Sequence, residues 1–133
     1  MFSLGKKRPP PIRSLVGEGM VVHGSLSFTE GLRIDGEVHG DVLADAAGSS
    51  MLVVSEKARV HGKVRARHVI ISGEVKGPIH SEELLELQPK ARVTGDVRYE
   101  ILEMHPGAQV EGELKPLKSA EKPALKLAAS NDA

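Results

Sequence analysis

The hydrophobic residues of this chain form a short pattern that recurs six times. Each copy has a valine, a glycine two residues later and an aliphatic residue two residues after the glycine, with polar side chains between them in nearly every copy. The valines are Val22, Val38, Val60, Val75, Val93 and Val110; the glycines are Gly24, Gly40, Gly62, Gly77, Gly95 and Gly112; the aliphatic residues are Leu26, Val42, Val64, Ile79, Val97 and Leu114. Alternation of apolar and polar positions predicts a short β-strand in every copy.

The spacing of the repeat is short and slightly irregular. Successive glycines lie 16, 22, 15, 18 and 17 residues apart. A period of this length predicts stacked coils of a solenoid rather than separate domains. The longest interval contains Ala46-Ala47-Gly48-Ser49-Ser50, which we expect to form a small loop that projects from one coil.

Two further columns align with the repeat and complete the predicted coil. The position four residues before each glycine mostly holds a small residue, as expected where a tight corner would exclude a large side chain. The residues at this position are Met20, Gly36, Ala58, Gly73, Ala91 and Ala108. After each glycine except the last comes an alternating aliphatic pair: Leu32 and Ile34, Leu52 and Val54, Val69 and Ile71, Leu85 and Leu87, Leu102 and Met104. The sequence therefore predicts an all-β fold, a single parallel β-helix of about six coils around one aliphatic column. The irregular spacing favours the right-handed form over a left-handed helix of strict hexapeptide repeats.

Several of these motifs resemble those of the bactofilins, which are bacterial cytoskeletal proteins. The resemblance rests on the repeated V-x-G-x-V motif, on the continuous run Ile34–Val42 (IDGEVHGDV) and on a Met1-Phe2-Ser3 start followed by lysines. It covers Gly19–Pro116 and the start of the N-terminal segment. The resemblance implies a right-handed β-helix domain between two short unstructured tails. It also implies nucleotide-independent, non-polar filaments at the inner face of the cytoplasmic membrane, which act as scaffolds for cell-shape and envelope-building proteins.

The chain divides into one repeat domain and two tails. We expect residues 1–18 to form a disordered tail, residues 19–116 the β-helix, and residues 117–133, rich in Lys, Ala and Ser, a second disordered tail. The C-terminal tail is interpreted as solubilising, with docking of an acidic partner as the alternative. No apolar run approaches the length of a membrane span or a signal peptide, so we expect a cytoplasmic protein that is peripheral to the membrane.

Composition argues against several classes of function. The chain has 18 basic and 18 acidic side chains, no cysteine, and only three aromatic residues. A formal net charge of zero gives no global field to attract nucleic acid, and few aromatics remain for base stacking. The lack of cysteine excludes a disulfide framework and a thiol nucleophile. We therefore expect no nucleic-acid partner.

The first eight residues combine apolar and basic side chains, which are Phe2, Leu4, Lys6, Lys7 and Arg8. We interpret them as a membrane tether in which Phe2 and Leu4 enter the interface of an anionic membrane while the cations face its lipid headgroups. Each cation contributes about 1 kcal/mol near such a surface, so one tail would bind weakly and reversibly. Many tails on one polymer would bind firmly. A solvated start with incidental lysines is the alternative.

No catalytic, cofactor-binding or metal-binding residues are predicted. The chain lacks a phosphate-binding loop, a nucleophile elbow and an H-E-x-x-H pair. His23, His39 and His61 precede the glycine on three successive coils, and stacked imidazoles could share a metal ion such as zinc. The column continues with Lys76, Thr94 and Glu111, so we interpret it as a polar column on the outside of the helix.

The ends of the predicted helix are the candidate functional sites. Neither flank of the repeat shows an amphipathic capping element, so each end is expected to expose strand edges and the cut core. Val22 and Leu26 in the first coil, and Val110 and Leu114 in the last, are the predicted polymer interface. A self-assembling scaffold is the favoured function. The alternatives are a monomeric β-helix adaptor, or an acyltransferase or carbonic anhydrase of the left-handed hexapeptide class.

Overall fold

A computed structural model describes residues 11–45 and 48–117. This part of the chain contains sixteen β-strands and no helix. The strands wind into six coils, each with three strands in succession, and every strand pairs in parallel with its counterpart in the next coil. The fold is the predicted β-solenoid. We number its three faces in the order in which a coil passes through them.

Each face collects one strand or half-strand from every coil. Face 1 contains β1 (Ile12–Val16), β4 (Glu30–Ile34), β7 (Ser50–Val54), the second halves of β9 (Val64–Ile71) and β11 (Ile79–Leu87), and β14 (Ile101–Met104). Face 2 contains β2 (Val21–His23), β5 (Glu37–His39), β8 (Arg59–His61), β10 (Glu74–Lys76), β12 (Arg92–Thr94) and β15 (Gln109–Glu111). Face 3 contains β3 (Leu26–Phe28), β6 (Val42–Ala44), the first halves of β9 and β11, β13 (Val97–Tyr99) and β16 (Leu114–Pro116).

The pairing register confirms the predicted columns. On face 2 the six repeat valines pair in one unbroken line from Val22 to Val110. On face 1 the aliphatic pairs align in the same way, with Leu32 opposite Leu52 and Ile34 opposite Val54. The inward side chains of the middle coils are fully buried. Val, Leu and Ile pack well on stacked strands, and their branched side chains form one continuous core.

The corner between faces 1 and 2 explains part of the irregular spacing. It has four residues in coils 1, 3, 5 and 6 and two residues in coils 2 and 4. In the long form a turn closes through a backbone hydrogen bond, as from Ala58 N to Ser55 O at 3.0 Å. In the short form Gly73 passes so close to the coil before it that a Cβ atom there would lie 2.2 Å from Ser55 O. Backbone contact therefore requires glycine in the two short corners, at Gly36 and Gly73.

The predicted loop of the longest interval lies between β6 and β7. It begins after Ala44, and β7 already starts at Ser50, although Ala46 and Ala47 fall outside the described residues. Ser50 is buried, and its hydroxyl accepts a hydrogen bond from Arg67 N at 3.0 Å. The extra residues of the third coil are thus placed at the corner between faces 3 and 1.

The N-terminal boundary differs from the one expected. The sequence pattern predicts a tail over residues 1–18, but Ile12–Val16 forms β1, pairs with β4 and supplies face 1 of the first coil. Val16 points inward and is 5% exposed. Ser14 takes the position that holds Leu32 in the second coil, so the first coil lacks one aliphatic residue of the pattern. Because Ser14 is polar and Pro11 directly precedes the strand, the hydrophobic pattern of the sequence does not indicate β1.

Candidate assembly surfaces

The N-terminal end of the solenoid leaves the first coil without a neighbour on one side. In the described chain, β2 pairs only with β5, and β3 only with β6. Val22 and Leu26 lie in the core columns but are only half-buried, whereas Val38 and Val42, one coil further in, are 0% exposed. The structure therefore brings Val22 and Leu26 together at an open end of the core.

The C-terminal end is open in the same way. Val110 pairs with Val93 and Leu114 pairs with Val97, and in the described chain no strand lies beyond them. Leu114 is 37% exposed, against 0% for Val97. Val110 and Leu114 thus form a second group, in the sixth coil, with four coils between it and the first.

Sequence reasoning missed further apolar residues at both ends. Met20 and Val21 are exposed in the first coil, and Ile101 and Met104 are exposed in the sixth. The repeat pattern includes Met20 and Met104 as column positions but assigns neither to the ends. Coil membership was the available signal for Met20 and Met104, because their columns lose a neighbouring coil at the ends. Val21 and Ile101 lie at outward positions of the terminal coils. Both ends are therefore larger apolar surfaces than the four predicted residues alone.

The histidine column lies on the outside of face 2, as the alternation predicts. The ring centroids of His23 and His39 are 5.2 Å apart and the rings are nearly parallel, while His39 and His61 are also 5.2 Å apart but edge to face. His61 Nε2 lies 2.9 Å from a carboxylate oxygen of Glu74, and this hydrogen bond lowers the pKa of Glu74. Within residues 11–45 and 48–117, no group of three or more His, Cys, Asp or Glu side chains is arranged to hold a metal ion.

A pair of carboxylates lies on the outside of face 1 near the C-terminal end. Glu86 and Glu103 are register partners in adjacent coils. Partial burial, followed by the hydrogen bond with Glu103 and the repulsion of its charge, raises the pKa of Glu86. His68 Nε2 lies 3.8 Å from Glu86 on the other side. This part of face 1 therefore carries negative charge that lacks a close, permanently charged cation among the described contacts.

The predicted tether residues Phe2, Leu4, Lys6, Lys7 and Arg8 lie outside the described residues, as does the C-terminal segment from Lys118. The described part of the chain begins at Pro11, directly before β1 on face 1 of the first coil. Residues 11–45 and 48–117 contain no helix, and thus none that could cross a membrane.

The fold and its open ends agree with the family to which the sequence is similar. A family model described as "Bactofilin: Polymer-forming cytoskeletal" matches residues 14–115. The chain belongs to the bactofilin family. The match begins inside β1 and ends inside β16, so the bactofilin domain coincides with the six coils.

Two curated bactofilins of Myxococcus xanthus (strain DK1622) are similar to this chain. Bactofilin BacP is 30% identical over 101 residues, which are 76% of this chain and 40% of BacP. Bactofilin BacO is 28% identical over 101 residues, which are 76% of this chain and 77% of BacO. No solved structure matches the chain. The similarity to both relatives thus extends over the length of one domain. The matched region of this bactofilin spans less than half the length of BacP.

Proposed function

We propose that this bactofilin is a non-enzymatic scaffold that assembles end to end, without nucleotide, into filaments. The observation that carries the proposal is the pair of open ends, at each of which the aliphatic core and three strand edges stop without a covering element in the described chain. Unpaired edges of this kind readily pair with another chain. The family description as polymer-forming supports the same conclusion.

The energetics favour contact between ends over exposure of them. Fully burying a Val or Leu side chain stabilises a contact by about 1.5–3 kcal/mol. Each end offers two half-exposed core residues, such as Val22 and Leu26, beside further apolar residues such as Met20. Parallel or antiparallel pairing of the terminal strands would add backbone hydrogen bonds. Several such contributions together can offset the entropy that association costs.

The filaments are proposed to be non-polar, with head-to-head and tail-to-tail contacts. In that arrangement every contact joins two identical surfaces and is isologous. Leu26 would then approach Leu26 of a second copy, and Leu114 would approach Leu114. The family relationship supports this arrangement, and the four coils that separate the two groups of end residues allow the two kinds of contact to form independently.

The scaffold is proposed to act at the inner face of the cytoplasmic membrane and to recruit cell-shape or envelope-building proteins there. Support comes from Phe2 and Leu4 beside Lys6, Lys7 and Arg8, which provide both apolar and cationic contacts for an anionic membrane. A filament would present many such segments in a row. Multivalent binding would then hold the polymer on the membrane although each segment binds weakly.

The decisive experiment is sedimentation and negative-stain microscopy of the purified full-length chain without nucleotide. Filaments whose abundance is unchanged by added ATP or GTP support the proposal. A discrete monomer at all concentrations would instead indicate an adaptor, and a discrete trimer would indicate the architecture of a hexapeptide enzyme. Cosedimentation of the filaments with anionic vesicles, compared with neutral ones, tests the membrane location.

A further inference from the structure

The outside of face 1 carries more apolar side chains than the outside of either other face. On faces 2 and 3 the outward positions are charged or polar except for Val21 and Leu43. On face 1 the apolar outward residues are Ile12, Leu15, Met51, Val53, Ile70, Leu84 and Ile101. Leu15 and Ile101 are 58% and 57% exposed, and the residues between them are half-buried. Five of the six coils thus place an apolar side chain on the outside of face 1, the second coil having Gly31 and Arg33 there, and an exposed apolar surface of this kind marks an interaction site.

One outward column of face 1 is complementary to itself when its direction is reversed. From the first coil to the sixth it reads Leu15, Arg33, Val53, Ile70, Glu86 and Glu103. Reversal places Val53 opposite Ile70 at the centre and Arg33 opposite Glu86 on either side. The apolar centre would be buried, and each Glu86 carboxylate would meet a guanidinium.

The column beside it extends the same match. Met51 is the register partner of His68, and these two residues would face each other across the reversed pair. Ile101 in the sixth coil would approach the first coil of the other copy, where Ile12 and Leu15 are exposed. Except for Leu15, which lies opposite Glu103, the apolar residues of both columns thus face apolar or neutral residues of the second copy.

We propose that a second copy of this chain packs on face 1 around a two-fold axis that runs along the strands between the third and fourth coils. The two solenoids are then antiparallel, and their sheets face each other at about 10 Å, the usual distance between packed sheets. The contact is isologous, so each favourable pair occurs twice. Two such pairs join Arg33 to Glu86, and two join Val53 to Ile70.

The charges of the monomer suit this contact. The Arg33 side chain is 51% exposed although its Nε bonds Asp35 at 3.0 Å, so its guanidinium remains accessible from outside. Glu86 faces the like charge of Glu103 in its own chain. A guanidinium from the second copy would relieve that repulsion. The complementarity is therefore between copies rather than within one.

The size of face 1 determines when the contact is stable. Strands of four or five residues and six coils give a face of roughly 15 by 30 Å, or about 450 Å² per copy. Stable interfaces bury about 800 Å² per partner, so an isolated lateral pair should be weak. Filaments that carry face 1 along one side would repeat the contact many times and pair firmly. In this respect the inference rests on the proposed end-to-end assembly.

The test uses Ile70→Lys, with Leu43→Lys on the outside of face 3 as the matched control. Negative-stain microscopy of the full chain measures whether threads are single or laterally paired. Ile70→Lys should leave end-to-end threads intact but raise the concentration at which they pair about tenfold or more, because it buries a charge at the centre of the contact. Leu43→Lys should pair like the parent chain. Paired threads in Ile70→Lys at the parent concentration would overturn the proposal.

A charge exchange tests the orientation of the two copies. Arg33→Glu and Glu86→Arg should each give single threads, because like charges meet twice in every pair. Threads of the two variants, polymerised separately and then mixed, should pair with each other, and so should threads of the double variant. Persistent single threads in both the mixture and the double variant would overturn the antiparallel arrangement.

Two outcomes separate this inference from the proposed function. If the chain forms no filaments, the lateral contact should still appear in sedimentation as a weak dimer that Ile70→Lys abolishes. If the parent chain forms only single threads, face 1 does not pair and the inference fails while end-to-end assembly stands. Loss of vesicle binding by Ile70→Lys with unchanged thread pairing would mean that face 1 contacts lipid, which also overturns it.

Discussion

Gly62 stacks directly on Gly40 in the corner between faces 2 and 3. A Cβ atom at Gly62 would lie 2.1 Å from Gly40 O, which is backbone and cannot move aside. The same close stacking continues at Gly77, where a Cβ atom would lie 2.2 Å from Gly62 O. The glycine of the repeat therefore sets how closely one coil approaches the next at this corner.

Replacing two glycines of this column tests the contact. Gly62→Ala should destabilise the fold by more than about 2 kcal/mol, because overpacking against backbone has no low-energy relief. At Gly24 a Cβ atom would meet no atom within 4 Å beyond its own chain neighbours. Gly24→Ala therefore meets only the strain of φ +122°, about 1–2 kcal/mol. Thermal unfolding followed by circular dichroism measures both changes, and equal losses would contradict the stacking argument.

The ends of the solenoid are tested by single charges. Leu26→Arg and Leu114→Arg each place a cation at one open end without burying it inside the monomer. In non-polar filaments the other end remains active, so each variant should stop at folded dimers by light scattering. The double variant should give monomers. These results would identify which end forms which contact.

The polar alternative makes a different prediction for the same variants. In a head-to-tail filament every contact uses both ends, so either single variant would leave monomers. Folded monomers from Leu26→Arg alone would therefore exclude the non-polar arrangement. Long filaments from the double variant would exclude stacking through the ends altogether.

The core column is tested at Val75, which is 0% exposed between Val60 and Val93. Val75→Asp should prevent folding, because a buried carboxylate without a partner costs several kcal/mol against a marginal total stability. Lys76→Asp, one residue later and exposed on face 2, is the control and should change stability by no more than about 1 kcal/mol. Far-ultraviolet circular dichroism of both variants provides the comparison. A folded Val75→Asp protein with an unchanged melting temperature would mean that the column points outward.

The proposed tether is tested by deleting Met1–Arg8, which lies before every described strand. The shortened chain should no longer cosediment with anionic vesicles and should still polymerise. Phe2→Ala with Leu4→Ala, which keeps the three cations, separates insertion from electrostatic attraction. Unchanged vesicle binding of the deleted form would refute the tether, and loss of polymers would show that the segment belongs to an assembly contact.

The raised pKa of Glu86 predicts a pH-dependent stability. Because the folded chain holds this proton more tightly than the unfolded chain, the ionised carboxylate destabilises the fold above its folded pKa. Glu86→Gln should therefore raise the melting temperature at neutral pH. The gain should shrink as the pH falls through the folded pKa and vanish below the ordinary value of 4.5. Glu103→Gln removes the repulsion but leaves Glu86 partly buried, so it should give a smaller gain that does not add to that of Glu86→Gln. Fully additive gains would mean that the two carboxylates are independent.

Much of the solenoid could be predicted because its signal is local and repeated. Alternation within each copy of the repeat assigns the inward valines, and the count of copies predicts six coils. The first strand could not be found this way, since Ser14 breaks the pattern that Leu32 and its counterparts keep. The lengths of the corners between faces 1 and 2 could not be predicted from the sequence either. Ala58 and Gly73 occupy the same position of the repeat, but the corners that contain them differ in length.

The sequence was enough to predict the candidate sites at the ends of the solenoid but not the strip on face 1. Val22 and Leu114 could be assigned to the ends because coil order follows chain order. The strip on face 1 requires the exact register, since Val53 and Ile70 are neighbours only through pairing between coils. A sequence shows each of them as one outward residue among polar ones. Only the stacked strands show that these residues form one surface.

The pairing of every strand with the next coil has a consequence for how the chain folds. Each new coil, 15 to 22 residues further along, forms on an edge that the coil before it has already built, so folding can start in one coil and spread to both sides. The edge that receives a coil of its own chain is chemically the same as the edge left bare at β2 or β15. Assembly would use the same kind of bare strand edge in a different pairing: folding joins opposite edges of successive coils, whereas the proposed non-polar contacts join two identical edges.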